Sequence, residues 1–169
     1  RELRTPHPDP FTFLGIPNDR PLIYVTGGSL GAERINNLML RMVRELLPHY
    51  TVFHQTGPAH QDELTLTAKA LIDDPALQQR YYIQGTVAAP TVNALMSAAT
   101  LILTRAGSTT LFEIALHGKP SIIIPIPETV SHDQVKNAYS YARAGAAIVL
   151  EEENFTESLL ITEIHSIIG

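Results

Sequence analysis

The chain has 169 residues, 44% hydrophobic and 17% charged, a composition ordinary for a soluble globular domain with a sizeable core. A formal net charge of −5 argues against a nucleic-acid surface, and the lack of cysteine excludes disulfides, thiolate metal sites and cysteine nucleophiles. No apolar run approaches the roughly 20 residues that span a bilayer, and residues 1–6 lack the apolar stretch of a signal peptide.

The start at Arg1 and the run His7-Pro8-Asp9-Pro10 read as a cut in a Pro-rich linker. Residues 1–20 are therefore expected to be a linker remnant from a missing N-terminal domain, and 21–169 the folded domain. From there, apolar runs and turn residues alternate regularly. A strand is expected at 22–26, a helix at 32–47, a strand at 51–55 and a helix around 63–72. Ile35, Leu38, Met39, Met42, Val43 and Leu46 form one stripe of the first helix, and Pro48 marks its end. A strand at 81–84, a helix at 91–98, a strand at 101–103 and a helix to His117 follow, with Gly118 as C-cap and Pro120 behind it. The last elements are a strand at 121–124, a helix at 133–144 stopped by Gly145, a strand at 147–150 and a helix from about Thr156. Short, nearly continuous apolar strands alternating with helices predict an α/β fold: a Rossmann-like, doubly wound parallel sheet of about six strands.

The residues with chemical potential fall where such a sheet binds ligands, at the carboxyl ends of its strands. Residues 104–113 place small and hydroxylated side chains at a helix start, with Ser108 as expected N-cap and Glu113 one turn inside. First-turn N–H groups and the positive end of the helix dipole there suit a diphosphate. Residues 27–31 form a Gly-rich turn between the first strand and first helix. The turn lacks a spaced G-x-G-x-x-G and an acidic ribose ligand on the next strand, so it supports NAD weakly. It matches the G-x-S-x-G elbow of serine hydrolases, a distant alternative, because about twenty residues precede it where such enzymes place several strands. It also suits a nucleotide-sugar cleft with Ser29 as a donor, or a plain βα turn. His54 is either a ligand contact or a partner for loop backbone. The seven histidines show no metal-binding spacing, and no metal or cofactor is expected. Asp133, Gln134 and Asn137 share the start of a helix and suit adjacent sugar hydroxyls, or serve as caps and exposed amides.

Together GGSLGA (27–32), HQTG (54–57), TRAGSTTLFEIALHGKPSIIIPIP (104–127) and DQVKNAYSYARAGAA (133–147) resemble the carboxyl-terminal half of the MurG-like family of bacterial glycosyltransferases. The resemblance covers residues 20–160. It implies the C-terminal, UDP-GlcNAc-binding half of a GT-B enzyme that makes lipid II from lipid I for peptidoglycan. The other half would bind the lipid-linked muramyl-pentapeptide acceptor, as a peripheral protein at the cytoplasmic membrane face. Carried over by motif, Glu113 would accept the ribose hydroxyls, while Ser108, Thr109 and Thr110 would meet the diphosphate. Asp133 and Gln134 would hold GlcNAc, with Asn137 on the same face, and Gly28, Ser29 and Arg105 would line the cleft. The general base would belong to the missing half, leaving the fragment alone inactive. Asp133-Gln134 replaces the family's usual His-Gln or Gln-Gln, and residues 82–91 diverge from its Phe-Ile-Asp-Asp-Met-like stretch near the uracil. Alternatives are a donor domain for another UDP-hexose and a non-catalytic nucleotide-sugar module.

Overall fold

The computed structural model describes residues 9–27, 33–127, 132–145 and 147–169. Its framework is a parallel sheet of six strands: β1 (Leu22–Thr26), β2 (Thr51–Gln55), β3 (Tyr81–Gln84), β4 (Leu101–Thr104), β5 (Ser121–Ile123) and β6 (Ala147–Val149). The strand order is β3-β2-β1-β4-β5-β6. The chain starts in the middle, winds to one edge, returns to the middle and winds to the other, as in doubly wound folds. Register aligns the last residues of all six strands in one row: Gln84, Gln55, Thr26, Thr104, Ile123 and Val149. Four of these six are polar, so the carboxyl edge carries hydrogen-bonding groups although the strands behind it are apolar.

Helices cover both faces. Alternation along β1 sends Ile23 and Val25 into one core with α2 (Glu33–Leu46) and α8 (Glu157–Ile168), while Leu22 and Tyr24 enter the other. That second core is shared with α5 (Ala89–Ala98) and α6 (Ser108–His117). The expected stripe of α2, from Ile35 to Leu46, is buried at every position. Each such side chain contributes about 1.5–3 kcal/mol through burial, and truncating a fully buried one such as Leu103 to Ala costs about 2–5 kcal/mol.

Sequence and structure differ at short elements. Part of the stretch expected as linker folds into α1 (Pro10–Leu14): Asp9 accepts from the Thr12 N–H, Pro10 supplies a preset φ, and Gly15 ends the helix at φ 68°. The turn is anchored by Ile16, 4% exposed, which packs in the second core. Between α3 (Gln61–Leu71) and β3 lies α4 (Pro75–Gln78), capped by Asp74, and a 3-10 turn at Glu152–Asn154 precedes α8. At α6 the N-cap is Gly107 rather than Ser108, because the first helical bond runs from the Leu111 N–H to the Gly107 carbonyl. Ser108 thus opens the helix, and Gly118 closes it at φ 62°.

Candidate functional site

The carboxyl edge of β1 and β2 opens into a cleft of 530 Å³ between α5 and α6. Its floor is Tyr24, Thr26 and Gln55, and one wall is Thr109, Thr110 and Glu113 of α6. Three of the four sequence-derived candidates of that helix, Thr109, Thr110 and Glu113, therefore line one cavity, and Ser108 is not among its lining residues. Glycine at the cap and helical geometry from Ser108 leave the first-turn N–H groups without intrahelical acceptors, pointing back along the axis. Ser108 and Thr109 are exposed, while Thr110 and Glu113 are half-buried. A half-buried carboxylate one turn behind a cluster of N–H donors can accept two hydroxyl hydrogens while an anion occupies the helix start.

The floor is held by hydrogen bonds. Burial pushes the Tyr24 hydroxyl far above its usual range, a hydrogen bond from Thr26 opposes that shift and the charge of Glu113 adds to it. The hydroxyl thus stays protonated and donates to Gln55 Oε1 at 2.7 Å. Tyr24 and Gln55 come from adjacent strands, and their roles are visible only once the register is known.

His54 is fully buried, and its ring bonds two side chains, Tyr81 and Asn36, rather than the loop backbone expected of it. Asn36 Nδ2 donates to the Thr56 carbonyl, so Asn36 Oδ1 receives the hydrogen of His54 Nε2 at 2.9 Å, and Nδ1 accepts from the Tyr81 hydroxyl at 2.7 Å. Burial pushes the imidazole down to about 3, so it is neutral. The network ties β2, β3 and α2 beneath the HQTG loop.

Arg105 is also placed inside the protein. It forms an ion pair with Glu152 and donates to the carbonyls of Ile124 and Pro125 at 3.3 and 3.1 Å. At 7% exposure it clamps the loops after β4 and β5 to the turn after β6, and it is not among the residues of the Glu113 cleft. Gln134, in α7 (His132–Ala144), also bridges loops, since its Oε1 accepts from the backbone N–H groups of Ala106 and Ile126 at 3.2 and 3.1 Å. The side chain therefore joins the loop that launches α6 to the loop that launches α7, and its amide end is the part suited to a ligand. Asp133 is exposed and Asn137 half-buried on the same helix. Gly28 and Ser29, with the rest of the G-x-S-x-G pattern after Gly27, lie outside the described residues.

A larger cavity of 660 Å³ lies on the other face, between α2 and the start of α8. Its cations are already paired, Arg34 with Glu152 and Arg41 with Glu157, and it contains none of the candidate site residues named from the sequence. The smaller cleft instead has the first turn of α6 in its wall, where the N–H groups lack intrahelical acceptors. Among the described residues no cluster of three or more His, Asp or Glu forms that could hold a metal, and no helix is long and apolar enough to cross a membrane.

Comparison with known proteins agrees with this geometry. Residues 22–168 match the family described as glycosyltransferase family 28 C-terminal domain. The chain is 31% identical over 151 residues to a UDP-N-acetylglucosamine--N-acetylmuramyl-(pentapeptide) pyrophosphoryl-undecaprenol N-acetylglucosamine transferase of Clostridium kluyveri. It is 34% identical over 156 residues to a Bacillus cereus protein of that description. The alignments take in 89% and 92% of this chain but only 40% and 41% of those relatives, so the chain spans about two fifths of their length. Among solved structures it superposes on Acinetobacter baumannii MurG with a TM-score of 0.73 at 25% identity, covering 95% of this chain and 44% of that one.

Proposed function

The chain belongs to the glycosyltransferase family 28 C-terminal domain family, and from that premise we propose that it is the UDP-GlcNAc-binding half of an inverting N-acetylglucosaminyltransferase. The whole enzyme adds GlcNAc to lipid I to give lipid II for peptidoglycan. The observation that carries this reading is the single cleft in which Thr109, Thr110 and Glu113 converge at the carboxyl edge of the sheet. In it Glu113 accepts the two ribose hydroxyls, and Ser108, Thr109 and Thr110 surround the diphosphate with hydroxyls and backbone N–H groups. By the same motif resemblance Asp133, Gln134 and Asn137 are assigned to the sugar, and Gly28 and Ser29 to donor binding. Arg105 supports the cleft by holding its loops.

The chemistry is a displacement at the anomeric carbon. An acceptor hydroxyl loses its proton to a base from the other half of the enzyme, its oxygen bonds to that carbon, and the bond to the UDP oxygen breaks. Helix-start donors stabilise the charge growing on the departing diphosphate. The lipid-linked acceptor and contact with the cytoplasmic membrane face are assigned to the other half, and a nucleic-acid role is not assigned.

Calorimetric titration with UDP-GlcNAc, UDP-glucose, UDP-galactose and UDP tests the reading. Tightest binding of UDP-GlcNAc supports it. Preference for another hexose, which exposed Asp133 beside Gln134 would allow, reassigns the donor, and no binding of any UDP compound at millimolar concentration overturns it. Transfer to a lipid acceptor by this chain alone would overturn the placement of the base.

A further inference from the structure

The sheet reverses its winding at its middle: β1 leads outward to β2 and β3, and β4, its other neighbour, leads to β5 and β6. The crevice between β1 and β4 is the switch point at which sheets of this kind bind ligands. Two helices begin there on opposite faces, α2 after β1 and α6 after β4. Both direct the positive ends of their dipoles at the carboxyl edge. An anion held at this edge therefore depends on how the two helix starts are spaced.

One carboxylate joins them. Glu152, which opens the 3-10 turn after β6, accepts from Arg34 Nη1 at 2.6 Å through Oε2, while its Oε1 forms the ion pair with Arg105. Arg34 stands in the first turn of α2, and Arg105 lies two residues before Gly107, the cap of α6. Arg105 is locked in turn to the carbonyls of Ile124 and Pro125, whereas the Arg34 side chain is 71% exposed. Glu152, at 13%, is the buried fixed point between them. Its charge and its position act oppositely on an anion. The negative charge repels a diphosphate at the same edge, and the two pairs hold the helix starts that attract it.

We propose that Glu152 is a positioning residue for the donor diphosphate: by pairing with Arg34 and Arg105 at once it sets the spacing of the α2 and α6 starts, without touching the ligand itself. The proposal rests on the reading of the α6 start as the diphosphate site.

Calorimetric titration of this chain with UDP and with uridine, which lacks the diphosphate, separates position from charge. Glu152→Gln keeps the size of the side chain but removes its charge, and its amide nitrogen, a donor, meets one of the two guanidinium groups. UDP is expected to bind about tenfold more weakly, the worth of one well-made hydrogen bond to the diphosphate, and uridine as before. Glu152→Asp keeps the charge and is one methylene too short to reach both arginines, so it weakens UDP in the same direction. If the glutamine variant does not fold, the aspartate variant decides, and unchanged UDP affinity in it overturns the proposal. Equal or tighter UDP binding by Glu152→Gln, which is what removal of a negative charge does on its own, also overturns it, as does a loss shared by UDP and uridine. A wild-type chain that binds UDP no better than uridine overturns the diphosphate reading of the α6 start, and the proposal falls with it.

Discussion

Replacing Gln134 by alanine separates the structural role of this side chain from its role toward the sugar. Its Oε1 accepts from Ala106 N–H and Ile126 N–H, and Ala106 is fully buried. Loss of two neutral hydrogen bonds, at about 0.5–1.5 kcal/mol each, destabilises the fold by about 1–3 kcal/mol. For a chain of this size that lowers Tm by about 3–9 °C, at about 3 °C per kcal/mol. Because Ala106 immediately precedes the cap of α6, the loosened loop also displaces the diphosphate donors. UDP affinity therefore falls along with the extra affinity that the sugar confers. Gln134→Glu keeps an acceptor for both N–H groups, so its Tm stays near that of the wild type. The assays are thermal unfolding and titration with UDP and UDP-GlcNAc. An unchanged Tm in Gln134→Ala would refute the bridging role.

Other expectations follow from the same geometry. Glu113→Ala weakens UDP by about 1–3 kcal/mol, the range for hydrogen bonds to a charged acceptor, and unchanged affinity in a folded variant contradicts the ribose assignment. His54, held down to about 3 by burial, binds fewer protons folded than unfolded, so its contribution is complete above about pH 6.5 and declines as pH falls toward 3. That makes about 2 kcal/mol of lost stability between pH 7 and pH 5, measurable as the part of the urea-unfolding difference that disappears in His54→Gln. Arg105→Ala leaves Glu152 paired with Arg34 alone and strips the Ile124 and Pro125 carbonyls of their donor, which costs about 1–3 kcal/mol in chemical unfolding. The paired change Arg105→Met with Glu152→Gln recovers much of that loss.

The sheet is legible because each strand is a short apolar run closed by turn residues, and β1, β2 and β3 fall at their expected limits. α1 is less legible because its Pro-rich approach resembles a linker, and only the burial of Ile16 against the second core shows why it folds. In the site, Thr109, Thr110 and Glu113 can be read from their place at a helix start after a strand. Arg105 cannot, because its carboxylate partner arrives from the turn after β6. Gln134 looks like a sugar ligand by residue type, yet its oxygen meets two backbone N–H groups that only the packed loops bring within reach. Tyr24 reads as one more apolar strand residue until register places its hydroxyl beside Gln55.

The donor-site assignment is tested most sharply by where the nucleotide sits in a crystal of this chain grown with UDP-GlcNAc. The expected result is ribose hydroxyls on the Glu113 carboxylate and the diphosphate against the first turn of α6. A nucleotide seated instead in the 660 Å³ cavity beside Arg34 would contradict it.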